Sequence, residues 1–172
     1  FSRLFIALIG VTVISVIFFV APFFTKNFRT DLPQTYTVTT TNNAGPGSLR
    51  VAITNANSNA GGDRIEFTVS GTITLLSALP VLTDSQGVTI DGTTAPDDLT
   101  GPDIILNGSP AGSVAGLILN SDNNTIIGLK IKSFANEGLR INAGANNTIG
   151  GTGARDRVVL IGNGITCCTA QM

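Results

Sequence analysis

The stretch Gly116-Leu117-Ile118-Leu119-Asn120 returns along the chain as Gly138-Leu139-Arg140-Ile141-Asn142. The stretch Asn123-Asn124-Thr125-Ile126 likewise returns as Asn146-Asn147-Thr148-Ile149, at nearly the same separation. Self-similarity at a fixed period of about 22 residues is typical of repeat architectures, in which each repeat buries its apolar face against the next. The period therefore predicts that each such repeat forms one coil of a parallel β-helix.

Short runs of alternating apolar residues surround these repeats and are separated by Gly, Asn, Asp and Pro, a pattern that predicts short strands and tight turns. The runs include Ile65–Val69, Thr72–Leu75, Val88–Ile90 and Ile104–Leu106. We expect inward Leu, Ile and Val side chains to stack between coils, and Asn side chains at equivalent turn positions to form amide ladders. A leucine-rich repeat and an antiparallel sandwich are the competing folds, but the spacing of Leu does not follow the leucine-rich pattern.

The segment from Gly45 to Asn57 predicts a short helix, at about residues 48–57, that covers the first coil. Ser48 is a suitable N-cap. One apolar face follows the helical spacing i, i+3, i+4 and i+7 and comprises Leu49, Ala52, Ile53 and Ala56.

Several motifs together resemble a family of bacterial surface proteins that have right-handed parallel β-helix repeats and a Ser-Leu-Arg-x-Ala-Ile capping motif. The resemblance covers residues 36–163, and its motifs are Thr39–Ile53, Ile65–Phe67, Ile90–Thr94 and Asn147–Gly151. It implies an all-β fold, namely a right-handed parallel β-helix in the form of a short solenoid with a capping helix, and a location outside the cell. The family has diverse functions, so the resemblance implies no particular activity.

The sequence from Leu4 to Phe24 contains no charged residue. As a helix it would extend about 31 Å, which is close to the thickness of the hydrocarbon core of a bilayer. A cleaved secretory signal is the main alternative, but its apolar stretch should be shorter and should end at small residues rather than at Pro22-Phe23-Phe24. We therefore predict a single transmembrane helix at residues 1–25 and a linker at residues 26–35, with the following domain periplasmic or extracellular.

A chain that starts with Phe1 and runs directly into apolar residues also resembles a type IV pilin after removal of its leader. The resemblance is limited to the segment from Phe1 to Phe24, and it departs from the pilin pattern in two ways. Phe5 stands where pilins carry Glu, and Arg3 lies near the start of the apolar stretch.

The predicted β-helix domain occupies residues 36–164 and is followed by a tail at residues 165–172 that resembles neither a further coil nor a polar cap. An uncovered last coil is expected to expose strand edges and apolar stacking positions. Either a partner covers that end or the chain is incomplete. Cys167 and Cys168 lie in the tail without metal-ligand spacing, and their role stays open.

The charge balance argues against one class of partner. Ten basic and eleven acidic residues give a net charge of −1, so no electrostatic footprint for nucleic acid is present. The expected partners are membrane lipid and other membrane or surface protein subunits, of the same or a foreign kind. A carbohydrate ligand remains an alternative.

The carboxylates raise the question of catalysis, because parallel β-helices include polysaccharide lyases and hydrolases. A glycosidase needs paired carboxylates, and a lyase typically needs Ca²⁺ ligands and a base. The candidate acids are Asp91, Asp97, Asp98 and Asp103, and the candidate bases are Lys130, Lys132 and Arg140. Asp is common in turns for backbone reasons, so we predict no catalytic residue, no cofactor site and no metal site.

Two further motifs have structural interpretations. Arg50 is expected to pack its aliphatic part on the capping helix while its guanidinium binds loop carbonyls. The sequons that begin at Asn107, Asn123 and Asn146 match glycosylation sites, but in so Asn-rich a chain we expect ladder residues instead.

We therefore predict a non-enzymatic, membrane-anchored, extracytoplasmic structural or assembly protein, such as a subunit of a pilin-like filament or a surface adhesin. An accessory subunit of a multi-subunit membrane complex, docked on its periplasmic face, is the first alternative. A polysaccharide lyase or hydrolase is the second.

Overall fold

The structure, a computed structural model, describes residues 32–96 and 100–164. These residues belong to one compact unit. They form a mixed α/β fold with one α-helix, parallel sheets and a short 3₁₀ turn.

Most elements are short strands. In chain order they are β1 (Thr35–Val38), helix α1 (Leu49–Ser58), β2 (Asp63–Phe67), β3 (Gly71–Thr74), β4 (Val88–Asp91), the 3₁₀ turn (Gly92–Thr94), β5 (Ile104–Asn107), β6 (Leu117–Asn120), β7 (Thr125–Ile127), β8 (Leu129–Lys132), β9 (Leu139–Ala143), β10 (Thr148–Ile149) and β11 (Val158–Ile161).

The strands pair in parallel within three sheets. The first sheet has the order β1-β2-β4-β7-β10, the second has the order β11-β8-β5-β3, and the third pairs β6 with β9. Strands that follow one another in the chain fall mostly in different sheets. Each sheet is therefore built from strands of successive chain segments, and we call the strands that one such segment contributes to the different sheets a layer. The last three strands, β9, β10 and β11, each form one edge of a different sheet.

Alternating burial along the strands explains where the core lies. In β2, Asp63, Ile65 and Phe67 are buried, whereas the two residues between them are half-buried. Because side chains alternate between the two faces of a strand, one face of each sheet points inward. The inward side chains of the three sheets pack into one continuous apolar core.

Helix α1 is positioned by its cap and its apolar face. The Ser48 hydroxyl accepts a hydrogen bond from the Val51 backbone N–H at 3.4 Å and so satisfies one donor of the first turn. The face that packs on β1 and β2 is buried and comprises Leu49, Ala52, Ile53 and Ala56. The helix therefore contributes directly to the core.

The predicted fold class is wrong. We predicted an all-β fold, namely a right-handed parallel β-helix in the form of a short solenoid with a capping helix, preceded by a transmembrane helix. The described residues instead form a mixed α/β fold without a closed solenoid. The third sheet explains the difference, because it contains only β6 and β9 and continues toward earlier layers through a single bridge between Leu82 and Leu119. The helix was predicted at residues 48–57, and its buried Leu49 and Ile53 make it part of the core of the mixed α/β fold.

The predicted transmembrane helix at residues 1–25 and the tail at residues 165–172 lie outside the described residues, as does most of the predicted linker. Within the two described ranges, no helix has both the length and the apolar character that crossing a bilayer requires.

Candidate functional site

Asp91, the first of the candidate acids, has a structural role. It is buried, and one of its oxygens pairs with the Arg64 guanidinium. The other oxygen accepts hydrogen bonds from the Thr93 backbone N–H at 2.9 Å and from the Thr93 hydroxyl at 2.6 Å. Both oxygens are thus engaged by protein donors, which leaves Asp91 poorly placed to act on a substrate.

The remaining candidate acids and bases are dispersed. Asp97 and Asp98 lie outside the described residues. Asp103 and Lys130 line the same groove, whereas Arg140 lies on β9 of another sheet and forms an ion pair with Glu137 at 3.8 Å.

The groove has a volume of about 580 Å³ and lies over the second sheet, where Ile105, Lys130 and Val159 are neighbours on adjacent strands. Arg157 adds a second cation to its lining, and Asp103 contributes a carboxylate. A glycosidase needs two carboxylates on one cleft, and Asp103 is the one carboxylate that the described part of the chain contributes to this groove.

Arg50 connects two loops, as the sequence predicted. Its guanidinium donates to the Asn43 carbonyl at 3.1 Å, to the Ser77 carbonyl at 3.0 Å and to the Ala78 carbonyl. A further bond runs to the Asn43 side-chain Oδ1 at 3.1 Å. The predicted binding of loop carbonyls by the Arg50 guanidinium is therefore confirmed.

The repeated Asn-Asn-Thr segments form a turn followed by a ladder. Asn123 and Asn146 both adopt left-handed backbone conformations with φ of 58°. The following residues form the ladder, because the Asn124 side-chain amide donates to the Asn147 Oδ1 at 2.9 Å. The expected amide ladder is confirmed at this pair, with the second Asn of each segment as its rung.

Tyr36 on β1 has a perturbed pKa. Partial burial raises the pKa of its phenol above the ordinary value of 10.0, and the negative charges of Asp63 and Asp84 raise it further. Both effects disfavour the phenolate, so Tyr36 stays neutral at physiological pH.

The most distinctive surface is the edge formed by β9, β10 and β11, which we call the open end. Its inward positions are occupied by Ile141, Ile149 and Leu160, with exposed fractions of 47%, 38% and 51%. One layer earlier, the residues paired with them are fully buried, namely Leu119, Ile126 and Ile131. The expected exposure of strand edges and apolar stacking positions is therefore confirmed.

The open end also carries a buried donor. The Nδ2 atom of Asn147 is buried and has no hydrogen-bond partner among the described residues. An unpaired buried donor costs about 1 to 3 kcal/mol.

Sequence reasoning missed the Arg64–Asp91 pair and the contribution of Arg157 to the groove. The residues of the pair lie far apart in the sequence and become neighbours only through the pairing of β2 with β4. Arg157 precedes β11, and only the register of β11 with β8 brings it near Lys130. The sequence shows alternating apolar residues around Arg64 and Arg157, but it does not show which residues of neighbouring strands are paired.

In the described part of the chain, no three His, Cys, Asp or Glu side chains come together suitably for a metal ion. Cys167 and Cys168 lie outside that part. Comparisons with protein-family profiles, with curated proteins and with solved structures found no match to this chain.

Proposed function

We propose that this chain is a non-enzymatic structural or assembly protein that lies outside the cytoplasm and docks a protein partner through the open end. Attachment to a membrane through the apolar sequence Leu4–Phe24 is part of the proposal. The observation that carries it is the exposure of Ile141, Ile149 and Leu160 at positions that are buried one layer earlier.

Physical chemistry supports docking at this surface. Among the described residues, the outer edges of β9, β10 and β11 have no pairing strand, and three aliphatic side chains lie beside them. Such edges are templates for pairing with another strand. The opposite end differs, because helix α1 packs over β1 and β2. A partner at the open end would bury apolar area and pair backbone groups at once, which is the usual basis of recognition by strand addition.

Site-specific photo-crosslinking in native membranes tests the proposal. A photoreactive amino acid at position 160 should give a discrete crosslinked product with a protein partner, and Leu160→Lys should abolish the crosslink formed from position 149. The matched control is Leu76, which is 63% exposed and lies away from the open end. Crosslinks of equal yield from positions 76 and 160, or none from position 160, would contradict the proposal.

The kind of assembly is a separate question. A filament subunit or surface adhesin would associate with further copies or stand alone, whereas an accessory subunit would co-purify stoichiometrically with foreign membrane proteins. Native mass spectrometry of gently solubilised material separates these arrangements, because it gives the composition of the complex. A methylated Phe1 together with self-association alone would support the pilin-like arrangement.

Carbohydrate binding in the groove is the second candidate function. Lys130 and Arg157 are favoured contacts for acidic sugars, and Ile105 provides an apolar surface beside them. Titration with an oligogalacturonate should show saturable binding that Lys130→Met weakens and that Leu76→Lys leaves unchanged. Equal heats of binding for the wild-type chain and the Lys130→Met variant would exclude carbohydrate binding in the groove.

A further inference from the structure

Two buried aspartates each have one carboxylate oxygen without a partner. Asp63 begins β2 and is fully buried, and Asp84 lies in the turn before β4 with 3% of its surface exposed. In both side chains Oδ2 is buried and has no hydrogen-bond partner among the described residues. A buried carboxylate is costly unless a donor or a cation compensates its charge. Both side chains therefore favour a positively charged partner.

Hydrogen bonds from the end of helix α1 bring the two aspartates to one corner of the fold. The Asn59 side-chain amide, at the helix C-cap, donates to the Asp63 Oδ1 at 2.7 Å. The Thr83 backbone N–H, directly before Asp84 in the chain, donates to the Asn57 Oδ1 at 2.9 Å. Both aspartates thus lie close to the same helix end. We call Asp63, Asp84 and this helix end the aspartate corner.

The strand register and the single tyrosine agree with this arrangement. Asp63 pairs with Val88, and a hydrogen bond of 3.0 Å from the Gly87 N–H to the Asp84 carbonyl closes the turn that leads into Val88. Burial raises the pKa of the Tyr36 phenol, and the negative charges of Asp63 and Asp84 raise it further. Because Coulomb interactions weaken with distance, both carboxylates lie near this one phenol.

The described residues supply no compensating positive charge to the aspartate corner. Their ion pairs involve Arg64 and Arg140, and none of these pairs includes Asp63 or Asp84. The last turn of helix α1 contains no basic residue. The partial negative charge of a helix C-terminus adds to the charge of the carboxylates, so this corner attracts a cation.

We propose that the aspartate corner binds a Ca²⁺ ion between the Oδ2 atoms of Asp63 and Asp84. Ca²⁺ takes oxygen ligands in flexible geometry and combines carboxylates with backbone carbonyls and water, so two carboxylates can be completed by neutral oxygens. Mg²⁺ demands a near-ideal octahedron and loses its water reluctantly, which suits a buried corner less well. One divalent ion compensates both carboxylates, whereas a monovalent ion would leave one negative charge.

The bound ion would join three segments, namely the end of helix α1, the start of β2 and the turn before β4. For so few carboxylates we expect a Kd of about 10⁻⁴ to 10⁻³ M, which is the range of extracellular Ca²⁺ modules. The inference does not rest on docking at the open end, because helix α1 packs over β1 and β2 at the opposite end of the first sheet.

Terbium luminescence tests the site directly, because Tb³⁺ replaces Ca²⁺ at oxygen sites and emits when a nearby aromatic side chain transfers energy to it. Tyr36 is the single Tyr of the chain and Trp is absent, so sensitised emission reports a metal ion near Tyr36. The full chain in detergent is freed of metal with EDTA and titrated with Tb³⁺ under tyrosine excitation. Saturable emission is expected, and Ca²⁺ should displace Tb³⁺ at lower concentrations than Mg²⁺ or Na⁺.

The decisive variant is Asp84→Asn. The amide keeps an oxygen that accepts from the Gln86 backbone N–H, but it removes the charge. The affinity for Tb³⁺ should fall at least about 10-fold, since the number of charged ligands tunes Ca²⁺ affinity over orders of magnitude. The matched control is Asp156→Asn, between β10 and β11, where the carboxylate accepts from the Gly153 backbone N–H. This control should change the affinity less than about 2-fold.

Urea unfolding gives a second readout that needs no terbium. Ca²⁺ at about ten times its Kd should raise the midpoint of the wild-type chain by about 0.5 to 1 M and leave that of Asp84→Asn unchanged. Without Ca²⁺, Asp84→Asn should unfold at an equal or higher urea concentration than the wild-type chain, because it lacks one uncompensated buried charge. A variant that only disturbed packing would unfold earlier under both conditions.

Several outcomes would overturn the inference. They are no saturable Tb³⁺ emission, equal Tb³⁺ affinity for the wild-type chain and Asp84→Asn, equal weakening by Asp84→Asn and Asp156→Asn, and displacement of Tb³⁺ by Na⁺ or Mg²⁺ as readily as by Ca²⁺. A wild-type midpoint that Ca²⁺ leaves unchanged would also contradict it, and that result does not depend on the folding of a variant. Docking at the open end is measured separately, by the crosslink at position 160, so either proposal can fail alone.

Discussion

The ladder residue Asn124 offers the most informative perturbation of stability. Its side chain is fully buried, and its Oδ1 accepts from the Val88 backbone N–H at 2.9 Å. Its Nδ2 donates to the Ser121 carbonyl at 2.8 Å, to the Ser121 hydroxyl at 3.1 Å and to the Asn147 Oδ1 at 2.9 Å. Asn124→Ala removes all of these hydrogen bonds together.

The expected loss follows from these contacts. The buried Val88 N–H loses its acceptor, which costs about 1 to 3 kcal/mol, and the partners of Nδ2 each lose a bond with a net worth of about 0.5 to 1.5 kcal/mol. Because contacts in one network are not additive, we expect a total loss of about 3 to 5 kcal/mol in the free energy of unfolding. Such a loss is a large share of the about 5 to 15 kcal/mol that stabilises an ordinary domain.

Urea unfolding followed by circular dichroism measures this loss. The midpoint should fall by roughly 2 M at an unchanged slope, given slopes of about 1 to 3 kcal/mol per molar. The matched control is Asn120→Ala, an exposed residue of β6, which should change the free energy of unfolding by less than about 0.5 kcal/mol. A loss below about 1 kcal/mol for Asn124→Ala, or equal losses for both variants, would refute the reasoning.

Three further predictions concern single contacts. Because the phenol pKa of Tyr36 is raised above 10.0 in the folded state, stability should fall as pH rises above that value, and Tyr36→Phe should remove this fall in alkaline unfolding curves. Arg64→Met should lower the free energy of unfolding by about 1 to 2 kcal/mol, because the buried Asp91 loses its cation. Glu66→Gln, at the more exposed partner of Arg64, should cost less than about 0.5 kcal/mol in the same urea assay. Arg50→Lys should speed hydrogen exchange in the loops that the guanidinium joins, since an ammonium lacks the planar fork, and unchanged exchange would contradict that role.

Local features were predictable because their signals lie within a few residues. Ser48 and the apolar face of the next turns indicated a helix at residues 48–57, and the structure has one at Leu49–Ser58 with the same buried face. The repeated Asn-Asn-Thr segments likewise indicated a ladder, because identical side chains at equivalent positions stack in register. Both inferences needed only periodicity and side-chain chemistry.

The fold class could not be predicted from one pair of repeats. Leu117 pairs with Leu139 in agreement with the repeat, but Asp63 pairs with Val88 and Thr89 pairs with Thr125 across longer stretches of sequence. Connections of such unequal length do not repeat a single coil, and the third sheet accordingly has only two strands. The repeat period of the segment Gly116–Ile149 therefore does not hold for the whole chain.

The candidate site was only partly visible in the sequence. The exposure of apolar positions in the last layer followed from the stacking argument, and Ile149 and Leu160 bear it out. The unpartnered Nδ2 of Asn147 could not be predicted from the sequence. The sequence does not tell whether an Asn of the ladder has a hydrogen-bonding Asn on both sides or on one side only, and this became visible only in the structure. The Arg64–Asp91 ion pair could not be predicted either, because it depends on the register between β2 and β4.

Hydrogen exchange on the native assembly tests docking at the open end most directly. Backbone amides of Leu139–Ala143, Thr148–Ile149 and Val158–Ile161 should be protected in the assembly and should lose that protection when Leu160→Lys releases the partner. Amides of Thr35–Val38, at the edge near helix α1, should exchange alike in both states. Equal exchange of β9, β10 and β11 with and without the partner would contradict docking at the open end.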